Sequence, residues 1–173
     1  ATYSHTLYDV SRGFGSGKAL FPNETYAEGG NPGSDDATYG YLNGFNVDGF
    51  SVIKGSDSTS YTNGSTNDYV AWCWKAGGTA SANTDGSITT TVNVSANDDA
   101  GFSIVTYEGT GTAATVGHGL SRAPDFIIEK NRDRDQNWAV YHSALGAEKA
   151  LILDTNSSQQ DATYYWNDTE PTT

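Results

Sequence analysis

The sequence predicts an all-β chain, β-sandwich-like in its modules, made of short antiparallel strands joined by long polar loops. Three observations carry that expectation. Runs of strand length recur at short intervals, with turn residues between them. Helix patterning is almost absent: one candidate, residues 143–149, is short and interrupted by Gly146. The composition is that of a loop-rich β protein, with 20 Gly, 17% charged residues, and 11 Tyr, 6 Phe and 4 Trp in 173 residues.

In chain order, residues 2–9 are β-rich and residues 12–17 form a glycine-rich turn. Residues 18–21 read as a short strand stopped by Pro22, because proline has no backbone N–H to give a ladder. A long polar stretch follows over residues 23–44, then a strand at 49–54 and a Ser/Thr/Asn/Gly loop to residue 67. Residues 68–75 give the clearest signal of a buried strand. Alternation places Val70, Trp72 and Trp74 on one face and Tyr69, Ala71 and Cys73 on the other. Both faces are apolar, which predicts a central strand.

Residues 76–85 read as a connector. Residues 87–95 alternate, with Ile88, Thr90, Val92 and Val94 on one face. Strands are expected again at 102–108, 113–116, 126–130, 138–142 and 150–153. The predicted core is Val70, Trp72, Cys73, Trp74, Phe102, Ile104, Phe126, Ile128 and Trp138.

A repeat is visible within the chain. Leu7-Tyr8-Asp9 runs on to Gly13, then to Lys18-Ala19-Leu20 and Asn23. Val140-Tyr141-His142 runs on to Gly146, then to Lys149-Ala150-Leu151 and Asp154. The first copy has two more residues in its turn. Tyr41-Leu42-Asn43 loosely answers Tyr165-Trp166-Asn167. The copies are out of phase, so residues 1–78 read as the back of one unit and 101–173 as the front of the next, with 79–100 as connector and strand. Half units cannot each bury a sheet face alone; they complete each other within the chain or through neighbouring chains.

Charge and cysteine content exclude several classes. A net charge of −12 repels phosphate backbones and anionic membrane surfaces, so neither nucleic acid nor membrane is an expected partner. The single cysteine, Cys73, allows no intrachain disulfide. No apolar run approaches the roughly 20 residues of a membrane span. No signal peptide is visible and no Met is present, which reads as a processed chain or a segment of something longer.

The motifs that suggest chemistry fail on spacing. Gly13-Phe-Gly-Ser-Gly-Lys-Ala19 lacks the glycine separation and the hydroxyl residue of a phosphate loop, and reads as a hairpin turn. Asp133, Asp135 and Asn137 resemble the opening of a Ca²⁺ loop, but Trp138 and Ala144 stand where that loop needs Gly and Glu. An irregular Ca²⁺ site there is the single cofactor expectation, and Asp35-Asp36 and Asn97-Asp98-Asp99 are similar turns. His5, His118 and His142 are scattered, with no transition-metal spacing. No nucleophile elbow and no marked carboxylate pair appears, so no catalytic residue is expected. Lys130, Arg132 and Arg134 alternate with Asp133 and Asp135 as a charge-neutralised turn. Tyr26, Tyr39, Tyr41 and Tyr61 lie among Asn, Asp and Gly, a setting suited to an interface or to a sugar.

Several ordered motifs carry a family resemblance. Tyr69-Val-Ala-Trp-Cys-Trp-Lys-Ala-Gly-Gly78 resembles a recurrent strand and linker of tail-fibre-like structural proteins of marine bacteriophages. Gly101-Phe-Ser-Ile-Val-Thr-Tyr-Glu-Gly-Thr-Gly111, Val116-Gly-His-Gly-Leu120 and Ala123-Pro-Asp-Phe-Ile-Ile128 are similar to the opening of the same repeat. Trp138-Ala-Val-Tyr-His142, Tyr165-Trp-Asn-Asp-Thr169, His5-Thr-Leu-Tyr-Asp9 and Asn46-Val-Asp-Gly-Phe50 fit as well. The resemblance implies an uncharacterised β module of long virion proteins, often beside lectin-like sandwiches, with no catalytic residue to transfer. It makes a bacteriophage structural protein the leading expectation: a tail fibre, tail appendage or capsid-surface fibre on the virion surface, or otherwise extracellular. Its partners would be copies of itself, other virion proteins or a cell-surface glycan. The rival expectations are a carbohydrate-binding module and a subunit of a microbial extracellular filament.

Overall fold

The computed structural model describes residues 4–30, 36–56 and 62–173, with the side chains of residues 36 and 37 left aside. The fold is almost entirely β, as short antiparallel strands in three small sheets. A one-turn helix α1 (Asp36–Tyr39) leads into a hairpin of β1 (Tyr41–Asn46) and β2 (Gly49–Ile53). The second sheet has the order β3 (Ser81–Ala82), β4 (Asn93–Asn97), β5 (Phe102–Thr106). The third has the order β6 (Phe126–Glu129), β7 (Ala139–His142), β8 (Lys149–Ile152), β9 (Gln160–Asp161), and runs on into helix α2 (Thr163–Trp166).

The alternation over residues 87–95 serves the second sheet. Ile88, Val92 and Val94 form its buried cluster, with Ala96, Val105 and Val116 packed against them. Its strand proper starts later than the pattern suggests, at Asn93, and Thr90 faces solvent. Residues 113–116 reduce to a single bridge, Val116 to Gly86. Near the N-terminus the expected strands at 2–9 and 18–21 survive only as bridges, Leu7 to Leu20 and Asp9 to Gly13, residues 1–3 lying outside the described set. Residues 143–149 are not helical: they turn at 143–145 and enter β8 at Lys149.

Local backbone bonds match at the corresponding positions of the two similar segments. Leu7 and Leu20 exchange both backbone hydrogen bonds, at 2.8 and 3.1 Å, and the corresponding Val140 faces Leu151 across β7 and β8. The His5 N–H donates to Asn23 Oδ1 at 2.8 Å; at the matching positions the Trp138 N–H donates to Asp154 Oδ1 at 2.9 Å. The Glu24 N–H returns to the Phe21 carbonyl at 3.0 Å, as the Thr155 N–H returns to Ile152 at 3.4 Å. Ala19 and Ala150 are both fully buried. A further sequence match is Asp-Ala-Thr-Tyr: Asp36-Ala-Thr-Tyr39 forms α1, and Asp161-Ala-Thr-Tyr164 joins β9 to α2.

The two copies meet inside the chain. Trp138 is 2% exposed, and its indole N–H donates to the carbonyls of both Phe21 and Glu24 at 3.0 Å. The Glu28 N–H donates to the Arg132 carbonyl at 2.8 Å, and Arg132 Nε donates to Glu28 Oε2 at 2.6 Å. The Ala27 N–H donates to Asp135 Oδ1 at 2.8 Å. The charged turn over residues 130–135 is therefore a clamp on the first copy, where the sequence suggested a solvated tip. Glu28 sits half-enclosed at its centre, with Arg12 and Lys18 each 3.5 Å away.

Six of the nine predicted core residues are corrected. Val70, Trp72, Cys73 and Trp74 are exposed, the two indoles by 73% and 63%. Among the described residues, 69–75 join no sheet, so most of the apolar surface of this segment stays in solvent. Phe126 and Ile128 are exposed because β6 turns Ile127 and Glu129, not these two, toward the interior. Alternation defines two faces of a strand but not which one is covered. Phe102 and Ile104 are half-buried, and Trp138 lies in the core as expected.

Candidate functional site

The most exposed apolar feature is the segment that sequence patterning placed at the centre of a sheet. Its C-terminal end is anchored on the second sheet. The Trp74 ring stacks on Phe102 with centroids 6.3 Å apart and planes 18° from parallel. Asn97 Nδ2 donates to the Lys75 carbonyl at 3.2 Å, and Ser95 Oγ donates to the Gly78 carbonyl at 2.6 Å. Gly77 lies so close to Ala96 that a Cβ there would strike the Ala96 carbonyl. Beyond that anchor, Val70 to Cys73 are all exposed. The β1–β2 hairpin adds a second apolar surface: Phe45 and Phe50 face each other across the ladder, Phe14 meets Phe45 edge-on at 6.0 Å, and Val47 at the turn is fully exposed.

The tyrosines singled out in the sequence are less open than a sugar platform requires. Tyr26 is half-buried and packs edge-on against Phe21 at 6.0 Å. Tyr39 is half-buried on α1, and Tyr41 is half-buried at the start of β1. Tyr61 lies outside the described residues. The fully open ring is Tyr164, on α2, the repeat counterpart of Tyr39, and sequence reading missed it. The repeated Asp-Ala-Thr-Tyr was the signal that would have found it.

The acidic loop has structural duties. Asp135 accepts from Ala27, Asn137 Nδ2 donates to Asp154 Oδ2 at 2.7 Å, and the Asp133 N–H donates to Asn131 Oδ1 at 3.0 Å. Among the described residues no group of three or more His, Cys, Asp or Glu converges as a metal cluster would. At the exposed turn of Asp98, the Ser121 N–H at 2.7 Å holds the carboxyl below its ordinary range. Of the turn at Asp35-Asp36, residue 35 lies outside the described set.

Beside this loop the electrostatics are unusual. Burial raises the Glu129 carboxyl above the usual glutamate range, with the Lys130 ammonium opposing it. Burial lowers Lys130, against the pull of Asp135, Glu129 and Asp154. Tyr107 is raised by burial and then by the Glu129 charge. At the other end of the sheet Tyr141 donates to Glu170 Oε2, and Glu170 Oε1 accepts the Ala147 N–H at 2.9 Å. His118 Nδ1 accepts the Leu120 N–H at 3.1 Å, which leaves Nε2 to donate to the Thr172 carbonyl at 2.8 Å. These bonds hold the last residues of the chain against the sheets.

A shallow groove of 760 Å³ runs between the copies, lined in part by matching residues of both, Pro22 and Leu153, Asn23 and Asp154. Among the described residues no helix is long and apolar enough to cross a membrane.

These features define a β module of three small sheets with an apolar segment on the outside. The chain belongs to a family described as a domain of unknown function (DUF7483), which matches residues 1–173. No curated protein and no solved structure matches it.

Proposed function

We propose that this chain is a structural protein of a bacteriophage virion, part of a tail fibre, tail appendage or capsid-surface fibre, and that it acts by assembly and surface recognition. The observation that carries the assembly reading is the apolar segment from Val70 to Trp74, exposed at every residue and in no sheet among the described residues. A segment with strand-like alternation is suited to adding a strand to a sheet edge, where its backbone and its alternate side chains are satisfied together. The occupant proposed is a second copy of the same chain. The three small sheets leave strand edges open, and the Phe45–Phe50 hairpin supplies an apolar surface from the same module. The phage setting is supported by the sequence resemblance alone.

The test is the mass of the native chain, beside a Val70→Ser/Trp72→Ser double variant. Native oligomers or filaments that fall to monomers in the variant support the reading. An open helical array in place of a closed oligomer would turn it toward a microbial extracellular filament. A native monomer would overturn it.

A further inference from the structure

A second surface, independent of the apolar segment, has the chemistry of a small-ligand site. A recess of 430 Å³ opens between the end of β6, the loop that follows it and helix α2. Its lining is Glu129, Asn131, Asp135, Gln136, Asn137 and the two rings Tyr164 and Tyr165. Its size falls in the range of small-ligand recesses, roughly 300–1,000 Å³. Fold and sequence converge to make it. β6 carries Glu129 to the rim, the clamp of residues 131–137 is pinned by Ala27 and Asp154, and the short helix presents two consecutive tyrosines.

The free bonding capacity is what distinguishes this recess. Among the described residues, the Glu129 carboxylate, the Gln136 amide and the hydroxyls of Tyr164 and Tyr165 form no hydrogen bond or ion pair within the chain. Asn131, Asp135 and Asn137 each spend one polar atom on the loop and keep capacity to spare. Tyr164 is 95% exposed, so its ring does no packing. Lys130 is outside the lining, and two of its three ammonium donors go to the carbonyls of Asn131 and Arg134 at 2.7 and 3.1 Å.

We propose that this recess binds a neutral carbohydrate, with Tyr164 and Tyr165 covering the apolar face of a sugar ring and Glu129, Gln136 and the Asn side chains bonding its hydroxyls. Anionic sugars are disfavoured by Glu129 and Asp135, with no Lys or Arg in the lining. An apolar ligand would strand three amides and two carboxylates. A basic peptide would use the two carboxylates and leave the three amides idle. Sugar hydroxyls both donate and accept, which matches a mixed lining of amides and carboxylates under an aromatic cover.

The site goes beyond the assembly reading and stands or falls separately, because a monomer that binds sugar refutes assembly alone. The experiment titrates the native full chain with neutral hexasaccharides of glucose, mannose, galactose and N-acetylglucosamine, by calorimetry and tryptophan fluorescence. Trp166 reports through Tyr165, whose ring centroid is 6.0 Å away. A hexauronate and hexalysine are run beside them. The expected result is saturable binding of at least one neutral hexasaccharide, weakened about tenfold or more by Tyr164→Ala and clearly by Gln136→Ala, with near-UV circular dichroism unchanged. Both side chains are exposed, so neither variant should disturb the fold. Absence of binding to the whole neutral panel overturns the proposal. So does binding indifferent to Tyr164→Ala, or preference for the uronate or the lysine peptide.

Discussion

Trp138 closes the two copies of the repeat on each other by donating its indole N–H to the carbonyl of Phe21, 117 residues away in sequence, at 3.0 Å. The same N–H reaches Glu24 at 3.0 Å, and the ring is almost wholly buried. In the first copy the matching position is His5, whose backbone keeps the equivalent bond to Asn23 while its ring lines the groove between the copies. One position thus serves the repeat through its main chain and joins the halves through its side chain. Trp138→Phe keeps an aromatic ring but strands two carbonyls and leaves a void. The expected cost is about 2–4 kcal/mol in urea unfolding. Amide exchange should quicken in residues 19–28 before the second sheet is affected. An unchanged midpoint would mean that the halves are held by something else.

Gly77 and Gly78 separate two ways a glycine can matter. A Cβ on Gly77 would strike the backbone of Ala96, which cannot yield without opening β4. Gly77→Ala should cost about 1–3 kcal/mol through overpacking. It should also loosen the stack of Trp74 on Phe102, which near-UV circular dichroism reads. Gly78 has φ +89° with open space around it, so Gly78→Ala meets backbone strain of about 1–2 kcal/mol and no collision. Its expected effect is on stability, with the Trp74 signal retained.

The bond from Tyr141 to Glu170 predicts a two-sided pH dependence. Tyr141 is raised to about 12, first by burial and then by its bond to Glu170 and by that charge. The folded chain therefore keeps a proton that the unfolded chain releases near 10. This contribution is complete below about pH 10 and is lost as pH rises toward about 12. Glu170 moves the other way, lowered by the Tyr141 hydroxyl and then by the Ala147 N–H. Its contribution is complete above the ordinary glutamate value of 4.5 and is lost as pH falls through its lower folded value. Thermal midpoints across pH should show both limbs in the native chain. Tyr141→Phe should shrink both limbs, leaving the smaller alkaline contribution of Tyr107, and an unaltered alkaline fall in that variant would contradict the assignment.

Much of the architecture was legible because it is local. The β2, β5, β7 and β8 strands follow from short apolar runs, and the Ile88–Val92–Val94 face follows from period-two alternation. The repeat was legible from Lys-Ala-Leu and its spacing, and the hydrogen bonds at Asn23 and Asp154 give it physical content. What sequence did not reveal depends on partners far along the chain. Nothing in Phe126 and Ile128 says that β6 turns them outward, since that depends on which face β7 and its neighbours cover. Residues 69–75 carry every local mark of a buried strand, and the described residues supply no ladder for them. The recess at Tyr164 escaped because its lining joins β6, a loop and α2, which no single motif spans. The half-buried Tyr26, Tyr39 and Tyr41 show the converse, aromatic rings in polar sequence that are partly enclosed by packing.

The central claim is that the exposed segment at Trp72 exists to be covered by another copy, and the native mass tests it most directly. Light scattering after size exclusion should give a closed oligomer or a filament for the native chain. The Val70→Ser/Trp72→Ser variant should give 18.4 kDa monomers whose unfolding free energy, measured on the monomer, differs by no more than about 0.5 kcal/mol per exposed site from a native monomer at high dilution. A native chain that runs as a monomer at every concentration, with the same mass in the variant, would contradict the account.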